Sequence, residues 1–182
     1  MPEVHERSVL WADLGLSYTV DPTRLSNYES ARLGLSLSPS RYWSVSAFSE
    51  LPIRKSELVD ATGTVRLNVT LLALAADGTL RYDRLQGSLG AGAAIAFLGV
   101  SGEPSRNDYV GQRERLNAAM PFLRLGGAAM VADRVLLRLE LLTGMALPTT
   151  ILRLNAEQAA TWGQPFVMGT LALQLGILSA PQ

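Results

Sequence analysis

Apolar residues return at every second position along eight separate stretches of this chain, and that period is the strongest constraint on its fold. Side chains on a strand point alternately to opposite faces, so such a stretch makes a strand with two unlike sides. Ala12, Leu14, Leu16, Tyr18 and Val20 alternate with Asp13, Gly15, Ser17 and Thr19. Ala31, Leu33, Leu35 and Leu37 do so against Arg32, Gly34, Ser36 and Ser38, and Trp43, Val45 and Ala47 against Ser44, Ser46 and Phe48. The fourth and cleanest stretch sets Val65, Leu67, Val69, Leu71 and Ala73 against Thr64, Arg66, Asn68 and Thr70. In the second half, Leu85, Leu89, Ala91, Ala93, Ile95 and Phe97 oppose Gln86, Ser88, Gly90, Gly92 and Ala94. Leu123, Leu125, Ala129 and Val131 oppose Arg124, Gly126 and Ala128, and Val135, Leu137, Leu139 and Leu141 oppose Arg134, Leu136, Arg138 and Glu140. The last stretch sets Val167, Leu171, Leu173, Leu175 and Ile177 against Met168, Thr170, Ala172, Gln174 and Gly176. No apolar run reaches the roughly 18 residues of a membrane-spanning helix, and the nearest candidates, Leu89–Val100 and Met120–Ala132, each carry more than one glycine.

The connections alternate in length. Short turns are expected at Ser38-Pro39-Ser40-Arg41, at Asp77-Gly78-Thr79 and around Ala132-Asp133, the Asp-Gly pair being a strong hairpin signal. Longer polar loops are expected at about Asp21–Glu29, Leu51–Ala61, Ser101–Asn117 and Pro148–Gly163. Short turns at one end and long loops at the other describe an up-and-down barrel with both termini at the short-turn end. The expected organisation is an N-terminal tail over residues 1–7, one eight-stranded barrel over 8–178 and a C-terminal tail over 179–182.

Composition decides which face points in. Charged residues are only 18% of the chain, against roughly 25% in an ordinary soluble domain, and Lys55 is the single lysine. The face opposite the leucine rows is mostly Gly, Ser and Ala with a few charges, which suits a narrow lumen better than a solvated outer wall. The leucine rows, turned to water, would form an apolar patch far larger than a soluble monomer tolerates. Turned to lipid they are in their proper solvent, and closure leaves no strand edge bare, as hydrocarbon requires. The fold class is therefore all-β: a closed up-and-down antiparallel barrel of eight strands, transmembrane. Trp11, Tyr18, Tyr42, Trp43, Tyr82, Trp162 and Phe166 fall near strand ends, where such barrels carry aromatic girdles.

In strand number, loop alternation and face chemistry, residues Ser8 to Leu178 resemble the small eight-stranded outer-membrane barrel proteins, the class of OmpX and the membrane domain of OmpA. The resemblance implies a bacterial outer-membrane location, lipid as the surrounding partner and a barrel that works as a monomer. Members of that class usually end in an aromatic residue, whereas this sequence continues as Leu178-Ser179-Ala180-Pro181-Gln182. Residues Met1 to Arg7 lack the apolar core and basic start of a secretory signal, so an export signal is expected to lie outside this sequence or to be missing.

Two groups of residues are candidates for function. Asp13, Arg32, Arg66, Arg124, Arg138 and Glu140 share the expected lumen face, where charges must pair because unpaired burial costs several kcal/mol per ion. With the turn centred on Ala132, Arg124 would stand opposite Glu140. Such a network either fills the barrel or lines a narrow ion path. The second group, Arg106, Asp108, Tyr109, Arg113 and Arg115, marks the most charged loop as a candidate binding surface.

Enzymatic motifs are weak. His5 is the single histidine and lies in the charged tail. There is no cysteine and no nucleophile-elbow, phosphate-loop or metal-ligand spacing, so no cofactor or metal is expected. Gly87-Ser88-Leu89-Gly90-Ala91-Gly92 lies inside a strand pattern and reads as small-residue packing. Zero net charge gives no case for nucleic acid. The expected function is a non-enzymatic outer-membrane barrel with a structural or surface-interaction role. A soluble lipocalin-like barrel holding a small apolar ligand is the alternative, and a lipid-modifying enzyme or narrow pore the third reading.

Overall fold

The computed structural model describes residues 9–20, 27–54, 56–60, 63–104, 113–148, 150–154, 157–162 and 165–179. All regular structure among them is strand: β1 (Val9–Val20), β2 (Tyr28–Ser38), β3 (Trp43–Pro52), β4 (Ser56–Asp60), β5 (Gly63–Tyr82), β6 (Leu85–Pro104), β7 (Arg113–Ala132), β8 (Val135–Gly144), β9 (Thr150–Leu154), β10 (Glu157–Trp162) and β11 (Phe166–Ser179). Each wall strand pairs antiparallel with its neighbours, running β3-β2-β1-β11-β8-β7-β6-β5, and β3 pairs with β5 to shut the ring. Strand β4 continues the line of β3 along β5, from Ser56 opposite Leu67 to Asp60 opposite Gly63. The wall is thus eight strands thick around, and β9 with β10 forms a separate hairpin in the connection between β8 and β11.

Alternation puts the apolar row outside on seven of the eight stretches. Leu14, Leu16, Leu33, Leu35, Leu89, Leu125, Leu139 and Leu171 are all exposed on the outer wall. Their alternate neighbours Ser17, Arg32, Ser88, Arg124, Arg138, Glu140 and Thr170 are buried in the lumen. A lipocalin-like arrangement would need the opposite assignment.

The fourth stretch corrects the expectation. On β5 it is Leu67, Val69, Leu71 and Ala73 that are buried, while Asn68, Leu72 and Leu74 are exposed. The physical reason is that the lumen is not polar throughout. Towards the long-loop end it is packed with Phe48, Leu67, Leu71, Leu98, Met120, Phe122, Leu142 and Met168, and β5 supplies its row to that core. Arg66 therefore stands on the outward row of β5, opposite Glu57 of β4 in register.

Two turns also differ. Asp77-Gly78-Thr79 is not a hairpin: β5 runs on to Tyr82, and the chain reverses at Asp83-Arg84. Asp83 takes the left-handed conformation there, with φ of 52°, a region that Asp tolerates better than most residues. Between β7 and β8 the turn is Asp133-Arg134, and a register shift between Met130 and Ala132 places Glu140 opposite Gly126 and Arg124 opposite Leu142. The ends of the expected loop Ser101–Asn117 are wall, because β6 extends to Pro104 and β7 starts at Arg113, and residues 105–112 lie outside the described residues. The expected loops Leu51–Ala61 and Pro148–Gly163 likewise hold β4 and the β9–β10 hairpin.

Candidate functional site

The lumen is where ionisable side chains converge, and neighbouring strands supply them in alternation. Strand β8 sends in Arg138 and Glu140, β7 Arg124, β2 Arg32, β3 Glu50 and β5 Asp77; all six are nearly sealed from solvent. Glu140 is the hub. Its Oε1 lies 2.5 Å from Arg138 Nε and 3.6 Å from Arg124 Nη1, and its Oε2 accepts a hydrogen bond from Arg32 Nη1. At one end Arg32 Nε donates to Glu50 Oε1 at 2.6 Å. At the other Arg124 donates to both oxygens of Asp77, through Nε at 2.9 Å and through Nη2, a bidentate pair.

The three arginines face three carboxylates, so this buried layer is electrically balanced. Hydroxyls complete it. Ser17 and Ser30 donate to the two oxygens of Glu50 at 3.1 and 2.8 Å, Arg124 donates to Ser46 Oγ at 2.9 Å, and Arg138 to Ser88 Oγ at 3.3 Å. Asp13 sits beside the layer rather than within it, accepting hydrogen bonds from Ser36 at 2.7 Å and from Gln174. Phe48 joins the polar layer to the apolar one. The Arg32 guanidinium lies 4.2 Å above its ring, a cation–π arrangement, and the ring packs against Phe122 at 6.0 Å between centroids.

Small residues make room for these groups. A Cβ added at Gly90 would run into the Asp77 carboxylate, and one at Gly126 would meet Ser88 Oγ at 2.6 Å. A Cβ at Gly92 would strike the Phe122 ring. The glycine run of β6 is a seat for neighbours' side chains inside a strand.

Of the expected lumen set, Asp13, Arg32, Arg124, Arg138 and Glu140 come together and Arg66 does not. Glu50 and Asp77 join the layer from outside that set. Glu50 lies two residues beyond Phe48, one more step of the same alternation. Asp77 shares the parity of Ala73 and was hidden by the turn signal of Asp77-Gly78. Of the expected loop set, Arg106, Asp108 and Tyr109 lie outside the described residues. Arg113 and Arg115 are on β7, opposite Ser101 and Gly99. Among the aromatics, Tyr18, Tyr42, Trp43 and Tyr82 are exposed, whereas Trp11 and Phe166 are buried in the lumen.

No protein-family model matches the chain, and no curated protein matches it. Solved structures do match in fold. The outer membrane protein OprG from Pseudomonas aeruginosa superposes with a TM-score of 0.59 at 9% identity, covering 94% of this chain and 95% of that one. Neisserial surface protein A gives 0.56 at 10% identity over 93% and 97%. The N-terminal β-barrel domain of Pseudomonas aeruginosa OprF gives 0.53 at 11% identity over 93% and 98%. The architecture is that of small outer-membrane barrels, the class that the sequence resembles. At these identities the likeness is one of fold.

Proposed function

We propose that the chain is a non-enzymatic barrel of the bacterial outer membrane, with a filled lumen and a structural or surface-interaction role carried by its long-loop end. The outer wall is the observation that carries this reading. Between Val167 and Ile177 the outward row of β11 has no charged residue, and Leu171, Leu173 and Leu175 are exposed to the surroundings. Ten residue steps of extended chain advance roughly 33 Å, and a tilt of about 40° reduces the rise to about 25 Å, the height of the apolar band of such barrels. Every charge of the same wall section on β8 is instead turned inward and paired. A soluble protein arranged this way would be inside out.

The lumen supports a structural role for its charges. Glu50 already accepts from an arginine and two hydroxyls, so it is a poor general base, and the buried apolar cluster of Leu98, Met120 and Met168 favours a filled lumen over a pore. Function then falls to the loops.

Two experiments test the reading. The folded protein should require detergent for extraction, keep a β-type circular dichroism spectrum and migrate differently on gels before and after boiling. Recovery in the aqueous fraction without detergent would refute the membrane assignment. Replacing residues 105–112 by a short Gly-Ser turn should abolish binding to cell surfaces or lipopolysaccharide while leaving insertion intact. Unchanged binding would remove that loop from the account.

A further inference from the structure

We infer that the short-turn rim is a binding site for an anionic phospholipid, with the headgroup on turn arginines and an acyl chain in a furrow of the outer wall. The inference rests on the membrane-spanning reading above. Two neighbouring short connections carry exposed arginines, Arg41 between β2 and β3 and Arg84 between β5 and β6, and β3 pairs with β5. Arg81, at the end of β5, is a third, whereas Arg134 between β7 and β8 lies on the far side of the ring from Arg41. Against these three stands Asp83, so this part of the rim carries a net charge of 3 − 1 = +2, in a chain whose 16 basic and 16 acidic residues cancel.

These side chains are exposed, Arg41 donating to the Tyr42 hydroxyl and Arg81 to Gln86 Oε1 at 3.1 Å. The turn backbones are held: Thr79 Oγ1 donates to the carbonyl of Arg41 at 2.7 Å and Met130 N to that of Arg84 at 2.8 Å. The Arg41 guanidinium also lies 4.6 Å from the centre of the Tyr42 ring. Tyr42 and Trp43, next to Arg41, and Tyr82, between Arg81 and Arg84, are exposed, as expected of side chains with a polar tip at a headgroup boundary.

The furrow starts just inside this aromatic level. Trp43 pairs with Gly78, and two residues further in Val45 pairs with Ala76, which pairs with Ala91. Ala47, Ala76 and Ala91 form a low floor, and Leu35, Leu37 and Leu74 stand beside it; the depression holds about 470 Å³ and is almost wholly apolar. That volume is in the range of about 300–1,000 Å³ typical of small-molecule pockets. An apolar slot leading to a cationic rim matches the two ends of one phospholipid. A soluble anion would use only the rim, and a zwitterionic lipid gains nothing from its net charge.

The test reads contact at Trp43. Trp11→Phe and Trp162→Phe leave it as the sole tryptophan. This protein is reconstituted in vesicles of equal phosphatidylglycerol and phosphatidylcholine, with bromine on the acyl chains of one lipid at a time. Brominated phosphatidylglycerol should quench Trp43 more strongly, with a preference of up to roughly fivefold per guanidinium at low salt, falling as salt is raised. R41Q/R81Q/R84Q should bring the preference close to one. Equal quenching by both lipids, or a preference that survives the triple substitution, overturns the inference. No quenching by either lipid would instead refute the membrane reading. A second measurement keeps the wild-type tryptophans: native mass spectrometry of the protein released from the same vesicles should show retained phosphatidylglycerol, reduced in the triple variant, and equal retention would overturn the site.

Discussion

Replacing Glu140 by glutamine removes one charge from a layer that is balanced with it. Glu140 is the carboxylate next to Arg138, and it also touches Arg32 and Arg124. In E140Q, Arg32 retains Glu50 and Arg124 retains Asp77, but Arg138 is left with the Ser88 hydroxyl at 3.3 Å. Removing one partner of a buried ion pair typically costs about 3–5 kcal/mol. With an m-value of roughly 2 kcal/mol per molar in urea, the unfolding midpoint should fall by about 2 M. R138M/E140Q removes the stranded cation as well and leaves two arginines facing two carboxylates. Replacing both members of a buried pair by uncharged groups is often close to neutral, so the double variant should lie within about 1.5 kcal/mol of the parent. The assay is urea unfolding in vesicles, read by the difference in gel mobility of folded and unfolded protein. An E140Q stability within about 0.5 kcal/mol of the parent would refute the reasoning, as would a double variant less stable than the single one.

Further outcomes follow from the same geometry. Gly90→Ala should destabilise by about 1–3 kcal/mol because the new methyl overlaps the Asp77 carboxylate; Gly127→Ala, with nothing within 4 Å of its Cβ, should be neutral or better in the same assay. Leu98→Ala should cost about 2–5 kcal/mol by opening a cavity in the apolar half of the lumen, and a cost below 1 kcal/mol would mean that this half is not packed. Leu139→Arg should cost about 2–4 kcal/mol in vesicles, the cost of a cation on a lipid-facing wall near the bilayer midplane. No cost there would mean that the β8 row does not face hydrocarbon.

Strand number, ring order and most face assignments could be read from alternation because one variable, the parity of a leucine row, carries them. That logic fails where both faces are apolar. Leu67, Val69 and Leu71 look like the outward rows of other strands, and only the buried cluster they share with Leu98 on β6 and Met120 on β7 reveals that they point in. Asp77-Gly78 shows a second limit. The pair favours a turn locally, yet an ion pair with Arg124 holds it within β5, and this long-range partner is invisible to a local rule. Glu140 and its arginines were legible because four charges at one parity on inward rows have few alternatives to pairing. Glu50 needed only one further step along β3.

The central claim is that this wall faces hydrocarbon outside and packed side chains inside. The chain has no cysteine, so single cysteines at positions 136–141 of β8 can each carry a spin label in reconstituted vesicles. Oxygen, which partitions into lipid, should reach labels at 137, 139 and 141, while labels at 136, 138 and 140 stay immobile and inaccessible to oxygen and to a water-soluble nickel reagent alike. Strong nickel access at 137, 139 and 141 would put the leucine row in water and contradict the account.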